Sequence, residues 1–155
     1  MTKSSELYDR DFARWTADQA AALRRAKRSN LPLDWENLGE EIEDLGKSRR
    51  TELRSQIRRV LRHLFKLEAS PASELRAGWR ATILEARGEI EDLLGESPSL
   101  RRLVDGYVAD QAARAAKLAA SDLGQHDEPG EAVWTRLDQG GFTPAQVLED
   151  WFPEA

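Results

Sequence analysis

One stretch decides what this chain can fold into: residues 34–67, whose apolar positions hold a helical phase for roughly nine turns. Placed at ~100° per residue, Trp35, Ile42, Leu45, Leu53, Ile57, Val60, Leu64 and Leu67 fall within roughly one third of the circumference. Such a stripe predicts a helix that is buried along one side. Asp34 stands where an N-cap carboxylate accepts the first free amides, and Pro32 ends whatever precedes it, so the helix should begin near Trp35. Opposite the stripe lie Glu36, Glu40, Glu43 and Asp44, then Lys47, Arg50, Arg54, Arg58 and Arg62, the order of charge that the helix dipole favours. Gly46 interrupts this run at about 1 kcal/mol relative to alanine. Trp35, Ile42, Arg49, Gln56 and His63 nevertheless keep a line with a step of seven, and Leu53 and Val60 stay in phase, which favours one continuous helix over a break at Gly-Lys-Ser.

The remaining segments read as partners for this helix. Residues 5–27 carry Tyr8, Phe12, Trp15, Ala22, Leu23 and Ala26 on one face, a first amphipathic helix rich in aromatics. A short connection through Asn30 and Pro32 makes the two antiparallel. Ser70-Pro71 signals a third helix, with Leu75, Trp79, Ile83, Ala86, Ile90 and Leu93 stepping by three and four up to Gly95. Ser97-Pro98 signals a fourth, through Leu100, Val104, Tyr107, Gln111, Ala115 and Leu118 to about Ala120. Residues 122–141 are punctuated by glycine and proline, with a short turn around Trp134 and Leu137. Thr143-Pro144-Ala145-Gln146 then reads as a capping box opening a terminal helix through Trp151, which should dock Val147, Leu148, Trp151 and Phe152 before Pro153 stops it. No segment alternates as a half-buried strand does. The expectation is an all-α single domain: an antiparallel four-helix bundle over about residues 5–120, with a loop and C-terminal docking segment over about 121–155.

At 155 residues the chain has enough length for one real core. Without cysteine, thiolate chemistry, disulfides and Cys-based zinc sites are excluded. A polar N-terminus and the lack of any run of ~20 apolar residues predict a cytoplasmic protein with no membrane contact. The net charge of −5 opposes nucleic-acid binding but conceals an asymmetry. Residues 47–66 hold eight cationic side chains against the single acid Glu52, a local +7 that leaves −12 elsewhere.

Several motifs occur together: Tyr8-Asp9-x-Asp11-Phe12-x-x-Trp15, Asp34-Trp35-Glu36-Asn37-Leu38-x-Glu40-Glu41-Ile42-Glu43-x-Leu45-Gly46, His63-Leu64-x-Lys66, Trp79-Arg80-x-Thr82-Ile83, Ser97-Pro98-Ser99-Leu100 and the closing Leu148-Glu-Asp-Trp-Phe-Pro. Together they resemble the bacterial domain-of-unknown-function family number twenty-nine over nearly the whole chain. The resemblance implies a small, helical, stand-alone bacterial protein and brings no catalytic residues with it.

Polar residues on the predicted buried stripe are the candidates for chemistry. Arg49, Gln56 and His63 lie in it and Glu41 at its edge, either as an internally satisfied polar layer or as a ligand pocket between helices. A carboxylate-bridged metal site would require Glu-x-x-His pairs, whereas Val60 stands three residues before His63, so neither metal nor cofactor is expected. No catalytic elbow, triad or phosphate loop is present. Three readings remain: a protein-interaction or regulatory module, a small-ligand or catalytic bundle centred on Glu41, Arg49, Gln56 and His63, and a local anion or nucleic-acid contact on the basic helix face. For the first, Glu36, Glu40, Glu43, Lys47, Arg54, Arg58 and Arg62 form a face that would pair antiparallel with its own copy in a two-fold homodimer.

Overall fold

The computed structural model describes residues 2–26 and 30–154, with side chains from residue 4 onward. Among these the chain is all-α. It forms α1 (Thr2–Arg10), α2 (Phe12–Ala26), α3 (Trp35–Ala69), α4 (Ser73–Glu96), a 3-10 helix (Pro98–Leu103), α5 (Val104–Gly124), α6 (Glu131–Asp138) and α7 (Pro144–Leu148). Two compact units emerge, one from residues 1–53 and 92–102, the other from residues 54–91 and 103–155. Both draw on α3, whose 35 residues run unbroken through Gly46. Among the described residues, the first of the four expected long helices is divided into α1 and α2, the fourth opens with a 3-10 turn, and the expected turn around Trp134 and Leu137 is the short helix α6.

In the first unit, the single helix expected over residues 5–27 is interrupted at Asp11, and its expected end at Lys27 lies outside the described residues. The buried Asp11 carboxylate accepts the amide of Arg14 (3.1 Å), as an N-cap does, and also both the amide (2.7 Å) and hydroxyl (2.8 Å) of Ser99. Ser97 completes the clasp by accepting the amide of Ala13 at 3.0 Å. A short acid that satisfies that many donors competes successfully with helix continuation. Asp34 caps α3 as predicted, accepting the Asn37 amide at 3.2 Å.

Gly46 serves contact rather than flexibility. A Cβ there would stand 2.5 Å from Oγ1 of Thr16, itself fixed by a 2.7 Å bond to the carbonyl of Ala13, so the glycine lets α2 and α3 touch. The arc of α3 that α2 covers is narrow. Leu45, expected in the buried stripe, is 48% exposed, and Trp35 and Ile42 are only half-buried. Leu38, on the same edge, is 40% exposed.

In the second unit the stripe is completely covered: Ile57, Val60, Leu61, Leu64, Phe65 and Leu67 have no exposed surface. Trp79, Ile83, Ala86 and Ile90 of α4 and Val108, Ala115, Ala116 and Ala119 of α5 supply the other side. Arg76 crosses the end of α3 and donates to the carbonyls of Leu67 and Ser70, a cation where the helix dipole welcomes one. The predicted capping box at Thr143 and Gln146 is present, although α7 stops at Leu148 rather than Trp151. Arg87 holds the chain beyond α7 in place. This buried guanidinium donates to the carbonyls of Val147 (2.9 Å), Gln146 (2.9 Å) and Trp151 (2.7 Å) and lies 5.0 Å from the centre of the Phe152 ring.

Candidate anion-binding site

Five polar residues of α3 in the second unit, Ser55, Arg58, Arg59, Arg62 and His63, are spaced i, i+3, i+4, i+7 and i+8. That spacing puts them on one face of a helix, beside the apolar stripe, with His63 at the stripe's edge. With Leu118 of α5 they line a cleft of about 240 Å³. Drug-sized pockets run from ~300 to 1,000 Å³, so this one has room for a single small polar group.

The cations are arranged because α5 lies along one edge of that face. Arg54 stacks 5.2 Å from the centre of the Tyr107 ring, Arg58 donates to Oε1 of Gln111 at 3.1 Å, and Arg62 grips Asp122 through two 2.7 Å bonds. Numbers rise together on both helices, so α3 and α5 run parallel, as they must when α4 returns the chain between them. Lys66 also reaches Asp122, at 3.2 Å. The hydrogen bond to Asp122 holds the Arg62 guanidinium above its usual range. Asp122 titrates below an ordinary aspartate: burial opposes this, but the bond from Arg62 and the charge of Lys66 outweigh it.

Arg58 is different. Its contacts among the described residues are neutral, Gln111 and, at 3.5 Å, the hydroxyl of Ser55. Burial, then repulsion from Arg114, Arg54 and Arg62, ease its deprotonation, yet a guanidinium stays charged at neutral pH. Among the described residues the Arg59 guanidinium pairs only with Glu85, across 3.7 Å at an exposed position. The half-buried His63 places Nδ1 2.9 Å from the carbonyl of Arg59. A carbonyl only accepts, so the proton is on Nδ1 and Nε2 remains for a ligand. Burial first, then Lys66, Arg62 and Arg59, hold the imidazole below its ordinary pKa against the opposing pull of that carbonyl.

The four residues proposed as a polar pocket each meet different surroundings. Glu41 is exposed, Arg49 stacks over Phe12 (5.1 Å) and pairs with Glu96 (3.6 Å) and Glu52 (4.0 Å), and Gln56 keeps a buried Oε1 without a hydrogen bond. Only His63 of the four lines the cleft. The predicted outer face also divides. Glu36 and Glu40 are exposed and Lys47 pairs with Asp44 at 3.7 Å, but Glu43 is bonded by Arg24, and Arg54, Arg58 and Arg62 are engaged by α5. Tyr107, Gln111, Leu118 and Asp122 share one face of α5, and it is this polar face that meets them. Ser55 and Arg59 were not among the sequence candidates. Their signal was the i, i+3, i+4, i+7, i+8 spacing, a helical stripe made of polar residues.

Among the described residues no group of three or more His, Asp or Glu is placed to hold a metal ion, and no helix is long and apolar enough to cross a membrane. Among solved structures, the chain is similar to an alpha-helical protein of unknown function from Rhodospirillum rubrum. The two are 25% identical, with 94% of this chain and 90% of that one covered and a TM-score of 0.73. A search of the curated proteins gave no match. The family profile agrees with the motifs read from the sequence: residues 7–152 match the domain of unknown function DUF29, and the chain belongs to that family.

Proposed function

We propose that this chain is a ligand-binding domain for a small anion, which docks against Ser55, Arg58, Arg59, Arg62 and His63. The observation that carries the reading is Arg58, a cation whose contacts among the described residues are neutral, standing among other cations beside a cleft. A charge in that position is stabilised by an anion that enters with it, and guanidinium forks match oxyanions in geometry as well as charge. The ligand is small because the rest of the chain carries −12 against the +7 of residues 47–66, which repels an extended polyanion such as nucleic acid. Calorimetric titration with sulfate tests this. Millimolar or tighter binding is expected, weakened tenfold or more by Arg58→Gln; absence of binding, or an Arg58→Gln variant that binds equally well, defeats the reading. A DNA duplex that binds more tightly than sulfate, with steep salt dependence, would replace it by nucleic-acid contact.

Leu38 and Leu45 favour a second reading, a protein-interaction module. They are 40% and 48% exposed and seven residues apart, hence on one edge of α3, with Glu41 between them. Self-pairing through the charge blocks would need Arg54 and Arg58 free, so a homodimer or partner contact is here assigned to the first half of α3. Sedimentation velocity over a range of concentration tests the homodimer: association weakened by Leu38→Glu with Leu45→Glu supports it, and a monomer throughout excludes self-association.

A further inference from the structure

Resting on the anion reading above, we propose that the cleft takes a tetrahedral dianion of the phosphate-monoester class, and takes it together with one proton that His63 receives at Nε2. The charge of the ligand is set by the cations that the cleft leaves uncompensated. Arg62 and Lys66 share one carboxylate, Asp122, which leaves one positive charge, and Arg58 adds a second. Before His63 takes up its proton, these two charges match a dianion. Its shape is set by the donors: forks at Arg58 and Arg59, a hydroxyl at Ser55 and an imidazole at His63 come from successive turns of a single face. A planar carboxylate offers two oxygens to such a set, whereas a phosphoryl group offers three.

The tautomer accounts for the proton. With Nδ1–H committed to the carbonyl of Arg59, neutral His63 offers the cleft a lone pair at Nε2, which repels an oxyanion. Once protonated it becomes a donor, with no change in the Nδ1 bond. In the free protein the charged groups around the ring oppose this. From α3, Arg59, Arg62 and Lys66 act on it as cations. The carboxylates that approach from the neighbouring helices are already engaged, Asp122 of α5 by Arg62 and Lys66, Glu85 of α4 by Arg59. Arg114 of α5 adds a further positive charge at Arg58. A bound dianion reverses the local field, so the ring charges as the ligand enters. By linkage, affinity for a ligand of fixed charge rises as pH falls through the bound-state pKa, and levels off below the depressed free-state value.

Calorimetry on the full chain separates this proposal from the anion reading on which it rests. Sulfate stays dianionic across the histidine range, so any pH dependence of its binding belongs to the protein. Affinity should be roughly threefold or more greater at about pH 6 than at about pH 8. Near pH 6.5, binding heats in two buffers of different ionisation enthalpy should differ in the sense of proton uptake. His63→Gln should bind sulfate more weakly than the parent at about pH 6 and lose both effects, with circular dichroism confirming its fold. Phenyl phosphate should bind and acetate should bind at least tenfold more weakly. Sulfate binding with equal affinity at both pH values and equal heats in both buffers overturns the proton coupling but leaves the anion site standing. Acetate binding as tightly as sulfate overturns the ligand class. If neither sulfate nor phenyl phosphate gives heat at millimolar concentration, the anion site itself is wrong.

Discussion

The two halves of α3 have the same apolar periodicity and opposite fates. From Ile57 to Leu67 every stripe position is fully buried, whereas between Trp35 and Leu45 the stripe is half-open. Neighbours make the difference. The second half has α4 and α5 against it and fills the space with large side chains. The first meets α2 through a glycine, which brings the two backbones close and leaves the flanking leucines outside. Periodicity therefore reports which side of a helix prefers burial, and the width of the covering surface decides how much of that side is buried.

Substitutions turn this contrast into a ranking. Ile57→Ala and Leu64→Ala should each cost about 2 to 5 kcal/mol, since each removes several methyl or methylene groups from a site with no exposure. Equilibrium denaturation measures it; a cost under about 0.5 kcal/mol for either would show that the second half is not the better-packed one.

Next comes the pair that ties α3 to α5. Asp122→Asn should cost about 2 kcal/mol, between the values for exposed and buried pairs, because the Asp122 side chain is 18% exposed and Arg62 36%. The folded-state pKa of Asp122 is lowered, so its contribution is complete at and above the ordinary aspartate value of ~3.9 and is lost as pH falls below it. Denaturation midpoints compared at neutral and acid pH should show the Asn variant losing less stability in acid than the parent.

Gly46→Ala should cost about 1 kcal/mol: overpacking against Thr16 at ~1 to 3 kcal/mol exceeds the gain in helix propensity of ~1 kcal/mol. On a Thr16→Ala background the same change should be neutral or stabilising. A thermal melt of all four combinations reads the coupling, and an uncoupled pair would return Gly46 to the role of a flexible joint. The smallest effect belongs to Leu45→Ala, within about 0.5 kcal/mol of the parent by the same denaturation assay, despite its place in the sequence stripe.

Much of this was legible in the chain. Asp34 capped its helix, the Thr143 capping box formed, and the step of seven from Trp35 to His63 correctly carried α3 through Gly46. The interruption at Asp11 was hidden because its cause, Ser99, lies 88 residues away and only the fold brings it near. Leu45 misled because a stripe implies nothing about the size of its cover. At the candidate site, Arg58 and Arg62 were seen as basic and His63 as unusual, but on opposite grounds, solvent face and core. A helix wheel places Ser55, Arg58, Arg59 and Arg62 on the arc behind the stripe and His63 at its edge, in line with Leu45. What it lacks is Gln111 and Asp122 from α5, and they decide which arginine is neutralised and which is not.

The grip of Arg87 on the carbonyls of residues 146, 147 and 151 has a consequence in time. On a ribosome, every residue of the first unit has been made once residue 102 is added. Arg87, by contrast, is made 60 residues before Val147, the partner of its Nε. At ~5 to 20 residues per second its guanidinium waits roughly 3 to 12 seconds for that carbonyl. In the later part of that interval, once residue 124 is made, the apolar faces of α4 and α5 exist without the segment that closes over Arg87. A chain ending between residues 124 and 147 and released from the ribosome should therefore yield a protease-resistant first unit beside a second unit that is still open to cleavage.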